Sequence, residues 1–166
     1  MASVATAWLL TSLDPSPLMV SLVAAATNLP LFLFALPAGA LADIVGRRKL
    51  MILAQVFMVV LTIALLGLTL SGLISPYMLL ALIFLIEAGT AFETPAYLAI
   101  LPGLVPRGQL QPALALNGVG INISRIVGPA LGGLVVSALG VAAALAINAL
   151  SFTAVIFAYA LAAYAT

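Results

Sequence analysis

Long apolar runs, separated by short clusters of charge, proline and glycine, occupy almost the whole chain. Read between those clusters, the pattern predicts complete runs at about residues 18–42, 50–71, 76–101, 112–139 and 141–164, after a partial run over residues 1–13. Crossing the ~30 Å hydrocarbon core of a bilayer takes about 20 apolar helical residues, and each complete run is long enough. Runs of this length without polar/apolar alternation predict helices. Strands of a membrane barrel would be about ten residues long and alternating. The punctuation agrees with these limits. Asp14-Pro15-Ser16-Pro17 is a turn between two helices, Gly72 through Pro76 separates the third and fourth runs, and Gly140 parts the last two. Connectors this short predict consecutive helices that are antiparallel and adjacent. The first run, at 1.5 Å per residue, reaches only ~20 Å, which predicts a truncated chain whose first helix begins upstream of Met1.

Composition narrows the class. Of 166 residues, 66% are hydrophobic and 5% are charged, against about 25% charged in an ordinary soluble domain. Too few polar side chains exist to cover a water-exposed surface, so the fold class is an all-α membrane protein, a single helical domain over residues 1–166. A net charge of +1 provides no basic patch for nucleic acid, and the apolar excess excludes disorder. Cysteine and histidine are both absent. Disulfides, thiolate nucleophiles, zinc clusters and imidazole bases are therefore excluded; no cofactor and no enzymatic activity are expected. No basic flank precedes the first apolar run, so a signal peptide is not expected.

The few charges carry the remaining information. Arg47, Arg48 and Lys49 lie between the second and third runs, and Arg107 between the fourth and fifth, on the same side. The opposite side shows only Asp14. The positive-inside bias makes the basic loops and the C-terminus cytoplasmic, in a multi-pass protein of the plasma (cytoplasmic) membrane. Glu87, Glu93 and Arg125 fall inside runs. A charge near mid-span costs about 2.5–3.5 kcal/mol on insertion scales, so Arg125 should face the bundle or a wet cavity and have a partner. Glu87 lies at a similar depth, Glu93 nearer the cytoplasm, and Asn122 shares the helix face of Arg125. Two readings stay open. Arg125 and Asn122 line a central pathway, with Glu87 or Glu93 as counter-ion and proton carrier, or the charges form a structural pair pinning the fourth and fifth helices.

Two further stretches stand out. In the segment 39–49, Gly39 permits close helix packing, Asp43 stands one helical turn before Arg47 and can pair with it, and Gly46 allows a sharp backbone turn. In the fifth run, Gly128 and Gly132 form a small-xxx-small face, with Gly133 beside it, and Pro129 removes a backbone donor and can kink the helix.

These residues resemble a known family. Gly39, Leu41, Asp43, Gly46, Arg47 and Arg48 match the motif between helices 2 and 3 of the major facilitator superfamily of secondary transporters, with Ile44 where a basic residue is common. Residues 88–96, 101–107 and 115–133 resemble its exporter branch, which includes siderophore and drug effluxers. Gly128-Pro129-x-x-Gly132-Gly133 matches the helix 5 motif typical of antiporters, with Arg125 where a further glycine is usual. The resemblance implies the N-terminal six-helix half of the fold, its first helix truncated, built from two inverted three-helix repeats. It implies that Asp43 and its basic neighbours gate the transporter as a cytoplasmic latch. The implied activity is proton-coupled efflux of a small organic molecule by alternating access. The implied partners are the lipid bilayer, the missing C-terminal six-helix half, the substrate and protons. Two rival functions remain: a non-transporting membrane scaffold or assembly protein, and a half-size transporter acting as a homodimer.

Overall fold

The computed structural model describes residues 2–164. Met1, Ala165 and Thr166 lie outside the described residues, as do the side chains of Ala2, Leu104, Arg107 and residues 160–164. The helices are α1 (Ala2–Leu13), α2 (Pro17–Val45), α3 (Arg47–Leu70), α4 (Pro76–Leu104) and α5 (Leu110–Tyr164), with a 3₁₀ turn at Arg107–Gln109. No strand occurs among the described residues. Four of these helices are long and apolar enough to cross a membrane, and α1 is a shorter apolar helix. Within α5, Gly140 leaves helical geometry (φ 82°, ψ 171°) and divides it into arms over residues 110–139 and 141–164. Asn117 and Tyr159, on opposite sides of that break, line one cavity. The chain therefore doubles back at Gly140.

Local chemistry sets the helix ends. Ser16 Oγ accepts the Met19 N–H at 3.4 Å, Asp14 Oδ1 accepts the Ser16 N–H at 3.0 Å, and Pro17 opens α2. Ser75 repeats the device, accepting the Met78 N–H at 3.3 Å ahead of Pro76. A serine N-cap followed by proline satisfies an orphan donor and presets the first helical φ. The expected loop between the second and third runs contracts to one residue. Helix persists through Asp43 and resumes at Arg47, with only Gly46 (φ 93°, ψ 127°) outside it. Apolar runs end where charge begins, but a charged residue at a helix end does not stop the backbone hydrogen bonding.

Packing departs from the expectation that consecutive helices are adjacent. α2 packs chiefly on α4, α3 on α4 and α5, and α1 on α5, whereas α1 with α2 and α2 with α3 touch sparsely. A short connector constrains only helix ends, and the side-chain faces decide the rest. At one end Leu10, Met19, Leu65, Leu79, Ile83 and Leu145 form the larger core. Toward the Gly46 end a smaller core joins Ala42, Leu50, Met51 and Ala96, flanked by Phe92, Tyr97 and Tyr159. Phe34 bridges α2 to α4, with ring centroids 6.3 Å from Phe84 and 5.3 Å from Phe92.

The exterior is apolar and part of the interior is polar. Leu36, Phe32 and Ile44 are 87%, 82% and 81% exposed, while Gln55 and Thr62 are 3% and 1% exposed. An apolar surface of this extent needs a hydrocarbon solvent.

Candidate functional site

At the Gly46 end, the basic residues bond to backbone more than to acid. Arg47 Nη1 donates to the Ala99 carbonyl of α4 at 2.7 Å, and its Nη2 meets Asp43 Oδ1 at 3.5 Å. Arg48 Nη2 donates to the Tyr159 carbonyl at 2.8 Å. Asp43–Arg47 is the one ion pair among the described residues, and an exposed i,i+4 pair contributes only about 0.3–0.5 kcal/mol. The two arginines thus tie the start of α3 to α4 and to the second arm of α5. Among the described residues no neighbouring helix closes on Gly39. A Cβ there would meet nothing within 4 Å. The tight helix approach is at Gly89 instead, where a Cβ would lie 2.6 Å from Met58 Cγ. In the helix 5 motif, Gly132 is buried, Gly128 and Gly133 are half-buried and Pro129 is exposed. A Cβ at Gly133 also meets nothing.

Glu93 is the centre of a polar cluster. Its Oε1 accepts Gln55 Nε2 from α3 at 2.8 Å and the Tyr159 hydroxyl at 2.8 Å. Gln55 Oε1 is buried without a partner. Beside the cluster, the Tyr97 hydroxyl donates to Asn117 Oδ1 at 3.3 Å. Glu93, Tyr97, Asn117 and Tyr159 border a cavity of about 280 Å³. Charge-assisted hydrogen bonds of this kind are the strong ones, so Glu93 joins three helices at one oxygen.

Arg125 and Glu87 occupy separate places. Arg125 is exposed and lines an open cavity of about 560 Å³ with Ser3, Asn117, Gly120, Ser124 and Pro129. Residues 117, 121, 125 and 129 recur every fourth position, so this cavity runs along one face of the first arm. Asn122 is exposed nearby on the same arm. Glu87 lines a smaller cavity of about 130 Å³ with Thr27, Thr62, Thr90 and Asn148. Ser3 lines both. The expected ion pair is not formed. No carboxylate lies within 4.0 Å of Arg125 among the described residues, because Glu93 turns to Gln55 and Tyr159 and Glu87 points into the smaller cavity.

Gln55, Tyr97, Asn117, Asn148 and Tyr159 therefore join the candidate residues; of these only Asn117 lies in a stretch that carries the family resemblance. Gln55 carried a readable signal, a lone amide inside an apolar run. The tyrosines did not, since their hydroxyls matter only once the helices are placed.

Five polar side chains joined by three hydrogen bonds, polar-lined cavities and an apolar exterior mark a membrane protein with polar groups inside its helical bundle. The profile of the transmembrane secretion effector family matches residues 1–165, and the chain belongs to this family, a branch of the major facilitator superfamily. Among its relatives, macrolide efflux protein A of Streptococcus pyogenes is 33% identical over 145 residues, covering 85% of this chain and 35% of the relative. Multidrug efflux pump Tap of Mycolicibacterium fortuitum is 30% identical over 143 residues, covering 82% and 35%. Tap of Mycobacterium tuberculosis is 29% identical over 165 residues, covering 90% and 37%. The chain spans about a third of the length of the curated relatives it matches. No solved structure matches it significantly.

Proposed function

We propose that the chain forms the N-terminal part of a secondary active transporter that exports a small organic molecule, driven by protons, through alternating access. Family membership over nearly the whole chain carries this reading, and relatives named for macrolide and multidrug efflux support the export direction and substrate class. In this reading the two arms of α5 are separate spans. Together with α1 to α4 they make six, arranged as two inverted three-helix repeats facing a second six-helix half, with the substrate near the midplane. The Gly46 end, bearing Arg47, Arg48 and Lys49, faces the cytoplasm. Gly39, Asp43, Gly46, Arg47 and Arg48 act there as the gating latch. Arg125, with Asn122 beside it, borders the substrate path, and Glu87 or Glu93 serves coupling. The packing face of Gly128, Pro129, Gly132 and Gly133 lets the first arm of α5 move against its neighbours.

The test uses the protein expressed from its complete reading frame, in everted membrane vesicles. A proton gradient should drive uptake of a radiolabelled macrolide or a cationic dye, and an uncoupler should abolish it. Arg125→Ala should reduce that uptake at least tenfold while the protein inserts and melts as the wild type does. Uptake indifferent to the uncoupler overturns proton coupling. Loss of assembly in Arg125→Ala without a separable transport defect overturns the pathway role.

A further inference from the structure

The two intramembrane carboxylates are in opposite situations. Glu93 is met by two donors on one oxygen. Among the described residues Glu87 has no hydrogen-bond or ion-pair partner, yet it is half-buried in the wall of a cavity drawn from α1, α2, α3, α4 and the second arm of α5. A carboxylate held away from water without compensation is unfavourable by several kcal/mol, so such a group is neutralised or paired.

The rest of the wall indicates what would compensate it. Thr27 donates its hydroxyl proton to the Val23 carbonyl at 2.9 Å, and Thr62 to the Met58 carbonyl at 2.7 Å. Thr90 does the same more weakly, to Ile86 at 3.5 Å. Thr90 also faces Met58 Sδ of α3 at 3.5 Å. Each hydroxyl proton thus has an acceptor in the protein, and these oxygens have only lone pairs to offer an occupant. Asn148 adds an amide from the second arm, and apolar side chains such as Leu65 and Phe152 complete the wall. Glu87 is the only ionisable group among the described residues that line the cavity. α1 presents Ser3 and Thr6, α2 Thr27, α3 Thr62, and the second arm Asn148, none of them charged. A volume of about 130 Å³ has room for an ion with a few water molecules, at about 30 Å³ each.

We propose that this cavity is a binding site for one monovalent inorganic cation, held by the Glu87 carboxylate and the hydroxyl oxygens of Thr27, Thr62 and Thr90. The cation is a proton resident on the carboxyl or a sodium ion coordinated by oxygen. Acceptor oxygens around a single negative charge suit both, and the neutral pair removes the penalty of burying Glu87. Glu93, already satisfied by Gln55 and Tyr159, is a structural carboxylate in this scheme. The proposal rests on the transport reading for its use as a coupling site, and on the cavity alone for its chemistry.

Infrared difference spectroscopy on the purified complete protein separates these outcomes. Acid-minus-alkaline spectra should show a protonated carboxyl band that is lost in Glu87→Gln and kept in Glu93→Gln if the occupant is a proton. Sodium added at alkaline pH should shift the carboxylate stretches in the wild type but not in Glu87→Gln, with potassium inactive, if the occupant is sodium. Thr62→Val, which changes no charge, should weaken whichever cation binds about tenfold, the equivalent of one charge-assisted contact. Absence of any Glu87-dependent change with either cation overturns the proposal, as does an equal dependence on Glu93. A Glu87-dependent signal in a protein that transports nothing leaves the site standing and overturns the transport reading instead.

Discussion

Glu93 accepts both of its protein hydrogen bonds on one oxygen, from Gln55 and Tyr159, so its removal strands two donors at once. A buried polar group left without a partner costs about 1–3 kcal/mol. Glu93→Ala is therefore expected to destabilise the bundle by about 2–5 kcal/mol, and Tyr159→Phe, which removes one bond and leaves the acceptor served by Gln55, by about 1 kcal/mol. Thermal unfolding in detergent measures both, and a double-mutant cycle should show strong coupling between them. The glycines make a second contrast. Gly89→Ala drives a Cβ to 2.6 Å from Met58 Cγ and should destabilise by about 1–3 kcal/mol. Gly39→Ala meets open space and should be neutral or stabilising by up to about 1 kcal/mol in the same unfolding assay, because alanine favours helix. Both glycines were visible in the sequence. Which of them sits under a neighbouring helix was not, since that depends on how far α3 approaches α4.

At the scale of the elements, α5 depends on one residue. Gly140 adopts φ 82° and ψ 171°, a region open essentially to glycine alone. Gly140→Ala should lower stability by about 1–3 kcal/mol, and circular dichroism should show helix content kept while the unfolding midpoint falls. A midpoint unchanged from the wild type would mean that the two arms do not turn there. The Ser16 and Ser75 caps, each followed by proline, and the turn glycines were legible from residue type, because capping and left-handed backbone are local chemistry. The length of the α2–α3 connector was not. Charge marks where the apolar phase ends, whereas helix ends where backbone bonding ends, and Arg47 and Arg48 continue that bonding while reaching the carbonyls of Ala99 and Tyr159.

At the scale of the whole molecule, the absence of cysteine from these 166 residues makes a topology experiment on this segment possible. Single cysteines in place of Lys49 and Ser16 should react with a membrane-impermeant maleimide from opposite sides. In intact cells Ser16→Cys should label and Lys49→Cys should not, with the order reversed in everted vesicles. Labelling of both from one side would overturn the proposed orientation. The apolar runs, the scarcity of charge and the transporter-like motif were readable in order along the chain. They are one-dimensional properties, set by the solvent each segment requires and by chemistry within one or two helical turns. That is why the sequence alone determined an all-helical membrane protein and reduced its intramembrane charges to Glu87, Glu93 and Arg125. Only the tertiary structure decided which groups surround those charges. In the absence of a hydrophobic drive between helices in lipid, small-residue contacts and buried hydrogen bonds choose the neighbours. They placed α2 on α4 rather than on α3, gave Glu93 its donors, left Arg125 without a carboxylate among the described residues, and set Glu87 in the wall of a cavity that Thr27, Thr62 and Thr90 also line.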